Sequence, residues 1–235
     1  MKMAAGEWEK LADLARSMSE ESGFRDTVVA AVRSAPQLVG GCDEAGVSIV
    51  HAGGRVTTEA STGDWVEQAD ALQVELQDGP CVQSIHESET VRTADLREEP
   101  RWPRWSPSAA DRLGFRSMLC VQLFTSGHTF GCLNMYSDTV DGFDHDDVQA
   151  GLALAAHVAV ALRGADLVDN LESALASRDV IGQAKGRLVE RFGLRSEQAF
   201  DVLVRFSQDR NVKLRAVAEE VALKGFDSLR DDTSS

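Results

Sequence analysis

Residues 178 to 222, RDVIGQAKGRLVERFGLRSEQAFDVLVRFSQDRNVKLRAVAEEVA, hold three helical patterns separated by two short breaks. In the first, Ile181, Ala184, Leu188 and Phe192 recur at spacings of three and four, which puts one apolar stripe on a helix. Gly193 follows, a residue suited to the left-handed turn that ends helices. Ser196 suits an N-cap, and Glu197 complements the helix dipole in the first turn. Ala199, Phe200, Leu203 and Ser207 continue the second face; Asp209, Arg210 and Asn211 break it. Leu214, Val217, Ala218 and Val221 make the third stripe. Helices this short do not hold alone, so the three stripes are expected to bury one another in a small bundle.

The order of residues here resembles the ANTAR domain, an RNA-binding output module of bacterial transcription antiterminators. The resemblance rests on Ile181, Ala184-Lys185-Gly186, Leu188, Ala199-Phe200, Leu203, Ser207-Gln208, Asn211, Leu214 and Val217-Ala218, which span all three helices. It implies binding to paired RNA stem-loops and control of transcription termination. Periodicity alone says only that three helices pack together.

The chain has 235 residues, enough for two modest domains with real cores, and a formal charge of −14. That charge is unevenly placed. Residues 178 to 224 hold 10 Lys and Arg against 7 Asp and Glu, a net +3, whereas residues 1 to 177 carry −15 and residues 225 to 235 carry −2. The bundle is the net basic segment, and +3 is a small footprint unless its cations gather on one face or two copies act together. The longest nearly apolar run, Leu152 to Leu162, is interrupted by His157 and is shorter than the roughly 20 residues of a membrane span. With no apolar N-terminal signal region, the expectation is a cytoplasmic protein with no membrane partner.

Taken in order, residues 7 to 19 and 24 to 39 read as helices, the second closed by Pro36 and Gly40-Gly41. Val47, Ile49 and His51 alternate with Gly46, Ser48 and Val50, and Gly53-Gly54 fits the turn into a second strand over Arg55 to Ala60. Trp65 to Leu76 returns to helical spacing, with Ala69, Leu72 and Leu76 as its inner face. A short helix from Cys81 to Glu87, a strand over Thr90 to Thr93, and a loop rich in proline and tryptophan follow. Ser108 to Leu113 reads as a helix ended by Gly114. Ser117 to Phe124 and Thr129 to Tyr136 form the clearest hairpin, joined through Ser126-Gly127.

This order predicts an α+β arrangement, an antiparallel sheet with flanking helices. It also resembles a GAF domain of actinobacterial type. Gly79-Pro80-Cys81, Asp95-Leu96, Arg101-Trp102-Pro103, Gly114-Phe115-Arg116-Ser117, Gly131-Cys132-Leu133-Asn134-Met135-Tyr136 and Phe143-Asp144 carry the resemblance. GAF domains bind cyclic nucleotides, chromophores, haem or other small molecules, and some only dimerise, so ligand and cofactor stay open. If a ligand exists, the sheet face and cover loop around Cys81, Trp102 and Phe115 would hold it; the competing reading makes these side chains hydrophobic anchors for the loop.

From Asp144 the apolar rotation runs through Leu152, Ala155, Val158, Ala159 and Leu162, then Ala165, Val168, Leu171 and Leu175, with no proline. One helix is expected from about 145 to 192, about 70 Å long. Its middle, residues 161 to 178, is most simply covered by the same helix of a second copy, a parallel coiled coil in a homodimer. The expected organisation is a sensor domain over residues 1–160, a linker over 161–178, the bundle over 179–225, and a tail over 226–235.

No catalytic constellation assembles. The five histidines are scattered, no Ser or Cys stands beside one as nucleophile and base, and no phosphate-cradling glycine loop or metal-ligand spacing occurs, so neither an enzyme nor a metal site is expected. The four cysteines, Cys42, Cys81, Cys120 and Cys132, show no CxxC pair and read as small buried residues. Cys120 and Cys132 lie across one hairpin: a direct register would bring them within disulfide reach. A two-residue loop would pair Cys120 with Leu133 and put the thiols on opposite faces, and the Ser126-Gly127 turn favours this second register.

For RNA the candidates are Lys185, Arg187, Arg205, Arg210, Asn211, Lys213 and Arg215, with Arg210, Lys213 and Arg215 around the second break. Glu219 and Glu220 on the third helix oppose a DNA-reading role. Two further readings stand beside RNA binding: a small-molecule or redox sensor whose bundle binds a protein, and a DNA-binding repressor.

Overall fold

The structure is a computed structural model, and it describes residues 23–226 apart from residues 52, 88, 89 and 127. The helical pattern expected over residues 7 to 19 lies outside the described residues, as does the tail beyond Phe226. The chain divides into two compact units between Asp166 and Leu167.

The first unit opens with helix α1 (Phe24–Leu38). Strands β1 (Glu44–Val50) and β2 (Val56–Ser61) follow, turned through Gly53-Gly54. Then come α2 (Asp64–Leu76), α3 (Pro80–Glu87), β3 (Val91–Thr93), α4 (Ser106–Leu113), β4 (Ser117–Thr125) and β5 (His128–Ser137). The five strands form one antiparallel sheet in the spatial order β2-β1-β5-β4-β3. Pro36 sits inside α1 instead of ending it; the chain turns at Gly40-Gly41, where a Cβ on Gly41 would meet the Gly142 carbonyl oxygen at 1.9 Å.

The β4–β5 register corrects the hairpin expectation. Thr125 pairs with His128, as a two-residue connection requires, but the register shifts between Leu123 and Phe124. This bulge pairs Cys120 with Asn134 and Gln122 with Cys132, so both cysteines lie on the same face. Gly131, across from Leu123, approaches β1 so closely that a Cβ would stand 1.8 Å from the Ser48 carbonyl oxygen.

Alternation divides the sheet into two faces. Val47, Leu119, Val121, Leu123, Leu133 and Met135 pack under α1 and the first part of α5 (His145–Phe192). Met118, Cys120, Cys132 and Tyr136 point the other way, toward α2, α3, α4 and the cover loop. The inner face of α2 differs from the expected one. Val66, Ala69, Asp70 and Gln73 are buried, while Leu72 and Leu76 are only partly so.

Helix α5 is the expected continuous helix, 48 residues long. By length and composition it contains a window apolar enough to cross a membrane. Within the first unit its Leu154, Ala155, Val158, Ala159 and Leu162 belong to the core against the sheet.

In the second unit the end of α5 packs with α6 (Ser196–Arg210) and α7 (Leu214–Lys224). Ala184, Leu188, Ala199, Leu203, Val217, Ala218 and Val221 form its buried core. The start of α6 is shifted by one residue from the expected cap: Arg195 is the N-cap, and its backbone N–H donates to Gln198 Oε1 at 2.9 Å. Phe192 is half exposed instead of lining the core; its ring and that of Phe206 meet Phe226 in T-shaped contacts at 5.1 and 5.4 Å.

Candidate functional site

The first unit's candidate site is the sheet face under α2, α3 and the cover loop. Cys81, Trp102 and Phe115, the three residues expected to line a ligand pocket, all belong to one buried cluster there. Each has a neighbour that occupies it. Phe115 stacks on Tyr136 with centroids 4.5 Å apart, and Trp102 meets Trp105 edge-on at 6.3 Å. The Trp105 indole N–H donates to the Ala69 carbonyl at 3.0 Å, tying the cover loop to α2. Arg101 lies over the outer Trp102 ring at 4.4 Å.

Cys81 corrects the reading of the cysteines as independent small residues. It forms a disulfide with Cys132, Cα atoms 6.3 Å apart, joining the start of α3 to the middle of β5. The bulge makes this possible by aiming Cys132 toward α3. Cys42 and Cys120 are free and buried, and burial pushes both thiols well above their ordinary range.

Beside the disulfide lies a polar cluster that periodicity did not reveal. Asp70 on α2 is buried, and its Oδ1 accepts from Tyr136 Oη at 2.5 Å and Asn134 Nδ2 at 2.9 Å. Its Oδ2 accepts from Ser48 Oγ at 3.0 Å and Thr58 Oγ1 at 3.2 Å. Burial nevertheless holds the carboxyl above its usual range against the pull of these donors, and burial with the adjacent carboxylate raises the Tyr136 phenol. Gln73 extends the network: its Nε2 donates to Tyr136 Oη at 3.3 Å, and its Oε1 accepts from the Cys81 backbone N–H at 2.8 Å. Gln122 Nε2 in turn donates to the Ser84 carbonyl at 3.1 Å near the end of α3. The face is therefore a linked set of α2, α3 and β5 contacts, in which a change at one group is felt at the others. Among the described residues no group of His, Cys, Asp and Glu is arranged to hold a metal ion.

The second unit's candidates are the bundle cations. Lys185 is half-buried, with Nζ 5.9 Å from the Phe200 ring centroid, and Arg187 is exposed on the same helix. Arg205 sits 3.9 Å from Asp209, and Arg215 donates to Glu219 at 2.8 Å, both at the surface. Arg210 is largely buried and bonds Glu220 at 3.3 Å, joining α6 to α7. Asn211 adopts the left-handed conformation that ends α6, with φ 52° and ψ 40°. The structure thus gives Arg210 and Asn211 structural duties, matches Arg205 and Arg215 with acids on their own helices, and leaves Lys213 exposed at the α7 N-cap. Arg187 and Arg191 stand one turn apart beside one groove.

The fold and its parts have known relatives. A GAF domain model matches residues 21–163, more than half of the chain, so the chain belongs to the GAF domain family. An ANTAR domain model matches residues 169–221, and the two together define a GAF-ANTAR two-domain regulator. At the family level this is a sensor-regulated RNA-binding antitermination architecture. Among curated proteins none matches the chain. Solved structures share the fold. The GAF domain of an Acinetobacter phosphoenolpyruvate-protein phosphotransferase is 13% identical, with a TM-score of 0.57, covering 71% of this chain and 98% of its own. The free methionine-R-sulfoxide reductase of Neisseria meningitidis, solved with its substrate, is 16% identical with a TM-score of 0.57, covering 72% and 96%. A bacteriophytochrome from R. palustris is 11% identical with a TM-score of 0.57, covering 86% and 47%.

Proposed function

We propose that the chain is a cytoplasmic, dimeric regulator, not an enzyme, that binds RNA stem-loops through its C-terminal bundle and controls transcription termination. The observation that carries this is the ANTAR match over residues 169–221, on the one net basic segment of a chain of charge −14. Lys185, Arg187 and Lys213 supply exposed or half-exposed cations, and two bundles in one dimer supply together the affinity that +3 does not. The input is a small-molecule ligand or partner of the GAF unit at the Cys81, Trp102 and Phe115 face, read out through α5.

The dimer rests on α5. Leu167, Val168, Leu171 and Leu175 are each about half exposed or more, a run of large apolar side chains with no cover in one copy. Changing Leu171→Asp together with Leu175→Asp is expected to convert a dimer to a monomer in sedimentation equilibrium; a wild-type monomer contradicts the stalk.

Another reading assigns the bundle to a protein partner, and the exposed Phe200, Val212 and Leu223 favour it. The two are separated by presenting the full chain with a pool of RNA hairpins of one fixed stem and randomised loop, beside a matched DNA duplex. Enrichment of particular hairpins supports the RNA reading. Preference for the duplex supports a DNA-binding repressor, and binding to neither supports the protein partner.

A further inference from the structure

We infer that the groove between the end of α5 and the end of α7 receives an unpaired base and its phosphate from an RNA loop. This rests on the RNA-binding reading above and assigns a second contact region, away from the α6–α7 break where the sequence concentrates its cations.

The groove encloses about 400 Å³, which is ample for a nucleobase, and lies wholly within the second unit. Its floor is apolar, from Leu188 and Val221 of the bundle core. Phe226 closes one end, its ring held by edge contacts to Phe192 and Phe206. Arg187 and Arg191 stand along one wall, one helical turn apart, with Glu190 between them. The Arg191 guanidinium is also placed 5.7 Å from the Phe192 ring centroid, so an aromatic side chain limits where it can swing.

An apolar floor, a fixed ring and two guanidiniums in one recess suit a ligand that is flat and apolar on its faces and anionic at its edge. An unstacked nucleotide has this chemistry: its base is accepted by aromatic rings and guanidinium planes, and its phosphate by a planar fork of N–H donors. A duplex offers no free base, so the site selects loops. Arg205, Arg210 and Arg215 each face a carboxylate of the bundle, two of them within the same helix. Glu190 lines the same groove as Arg187 and Arg191. Glu190 then acts as a selectivity element that repels a phosphate placed too close and tolerates one shared by the two arginines.

The test uses the full chain and the hairpin selected from the randomised-loop pool, with each loop nucleotide replaced in turn by an abasic residue. In wild type, one abasic position is expected to weaken binding ~10-fold or more, as loss of one stacked base does. In the combined Arg187→Ala and Arg191→Ala variant, that position should cease to matter, the intact and abasic hairpins binding alike. Lys213→Ala, outside the groove, should weaken both hairpins by the same factor and preserve their difference. Glu190→Gln should tighten binding several-fold, a gain that damage to the fold does not produce. If the arginine variant binds the hairpin as wild type does, or keeps the full abasic penalty while its thermal unfolding is unchanged, the groove assignment is overturned and RNA binding stands. If wild type selects no hairpin at all, the RNA reading fails, and the groove assignment falls with it.

Discussion

The two units place their polar chemistry in opposite ways. In the GAF unit Asp70, Tyr136, Asn134 and Gln73 are drawn inside and bonded to one another beneath a cover of tryptophans, with the Cys81–Cys132 bridge alongside. In the bundle most charged groups stay at the surface, with the Arg210–Glu220 pair largely buried, and Arg205, Arg210 and Arg215 each face an acid. The first arrangement is expensive to disturb, because a buried group that loses its partner keeps its desolvation cost. The second is cheap to disturb and sensitive to salt, because water and ions replace a surface partner. A regulator needs both: an input whose few linked contacts change together, and an output whose charges exchange readily with phosphates.

That contrast sets the size of each expected effect. The largest belongs to the disulfide. Cys81 and Cys132 are 51 residues apart, and opening a loop of that length releases about 4 kcal/mol of unfolded-state constraint. Cys132→Ser under oxidising conditions should lower the urea stability of the GAF unit by that order, and thiol titration of unfolded, unreduced wild type should find only Cys42 and Cys120 of the four cysteines reactive.

Next comes Asp70. Asp70→Ala leaves Tyr136 Oη, Asn134 Nδ2 and Ser48 Oγ without their acceptor and should cost about 3 kcal/mol, whereas Asp70→Asn retains an acceptor and should cost less. The pH dependence sharpens the assignment. Burial raises the folded carboxyl, so the folded chain releases the Asp70 proton at higher pH than the unfolded chain does, and this group's share of stability is fullest below the ordinary carboxylate range. It declines as pH rises through that range to the raised folded value, and then stays level. Asp70→Asn should reduce this decline in a series of urea titrations; a decline unchanged in size contradicts a raised Asp70 carboxyl.

The smallest of the three lies in the bundle. Arg210→Ala breaks the α6–α7 pair with Glu220 and should cost about 2 kcal/mol of bundle stability, since the guanidinium is mostly buried. Lys213→Ala should change stability by less than about 0.5 kcal/mol while lowering RNA affinity. If the two variants exchange these effects, Arg210 is the nucleic-acid contact and the structural duty belongs elsewhere.

The bundle and the hairpins were largely legible in the sequence because their apolar residues repeat with helix or strand period. Ala184, Leu188, Leu203 and Val217 fall where their spacing puts them. The GAF site was legible only in outline. Cys81, Trp102 and Phe115 do share a cluster, but Asp70 and Gln73 occupy buried positions on α2 that apolar periodicity assigns to Leu72 and Leu76. A carboxyl group can be buried there because four donors from three strands converge on it, and no local pattern announces that convergence. The disulfide was hidden by a single inserted residue: the bulge between Leu123 and Phe124 moves every β4–β5 pair on its far side from the turn by one and brings Cys132 to the face of Cys81. Likewise Arg210 reads as a surface cation until Glu220 is found 3.3 Å away on the next helix.

Among the described residues no ion pair joins Lys185, Arg187 or Lys213 to an acid of the bundle, and these are the cations proposed to meet RNA phosphates. The most direct measurement is the salt dependence of hairpin binding by the full chain, compared with a variant carrying Lys185→Ala, Arg187→Ala and Lys213→Ala. The logarithm of affinity is expected to fall linearly with log salt concentration, and the triple variant to have a slope smaller by about 2 to 3, one phosphate contact per removed cation. An unchanged slope with unchanged affinity would contradict it.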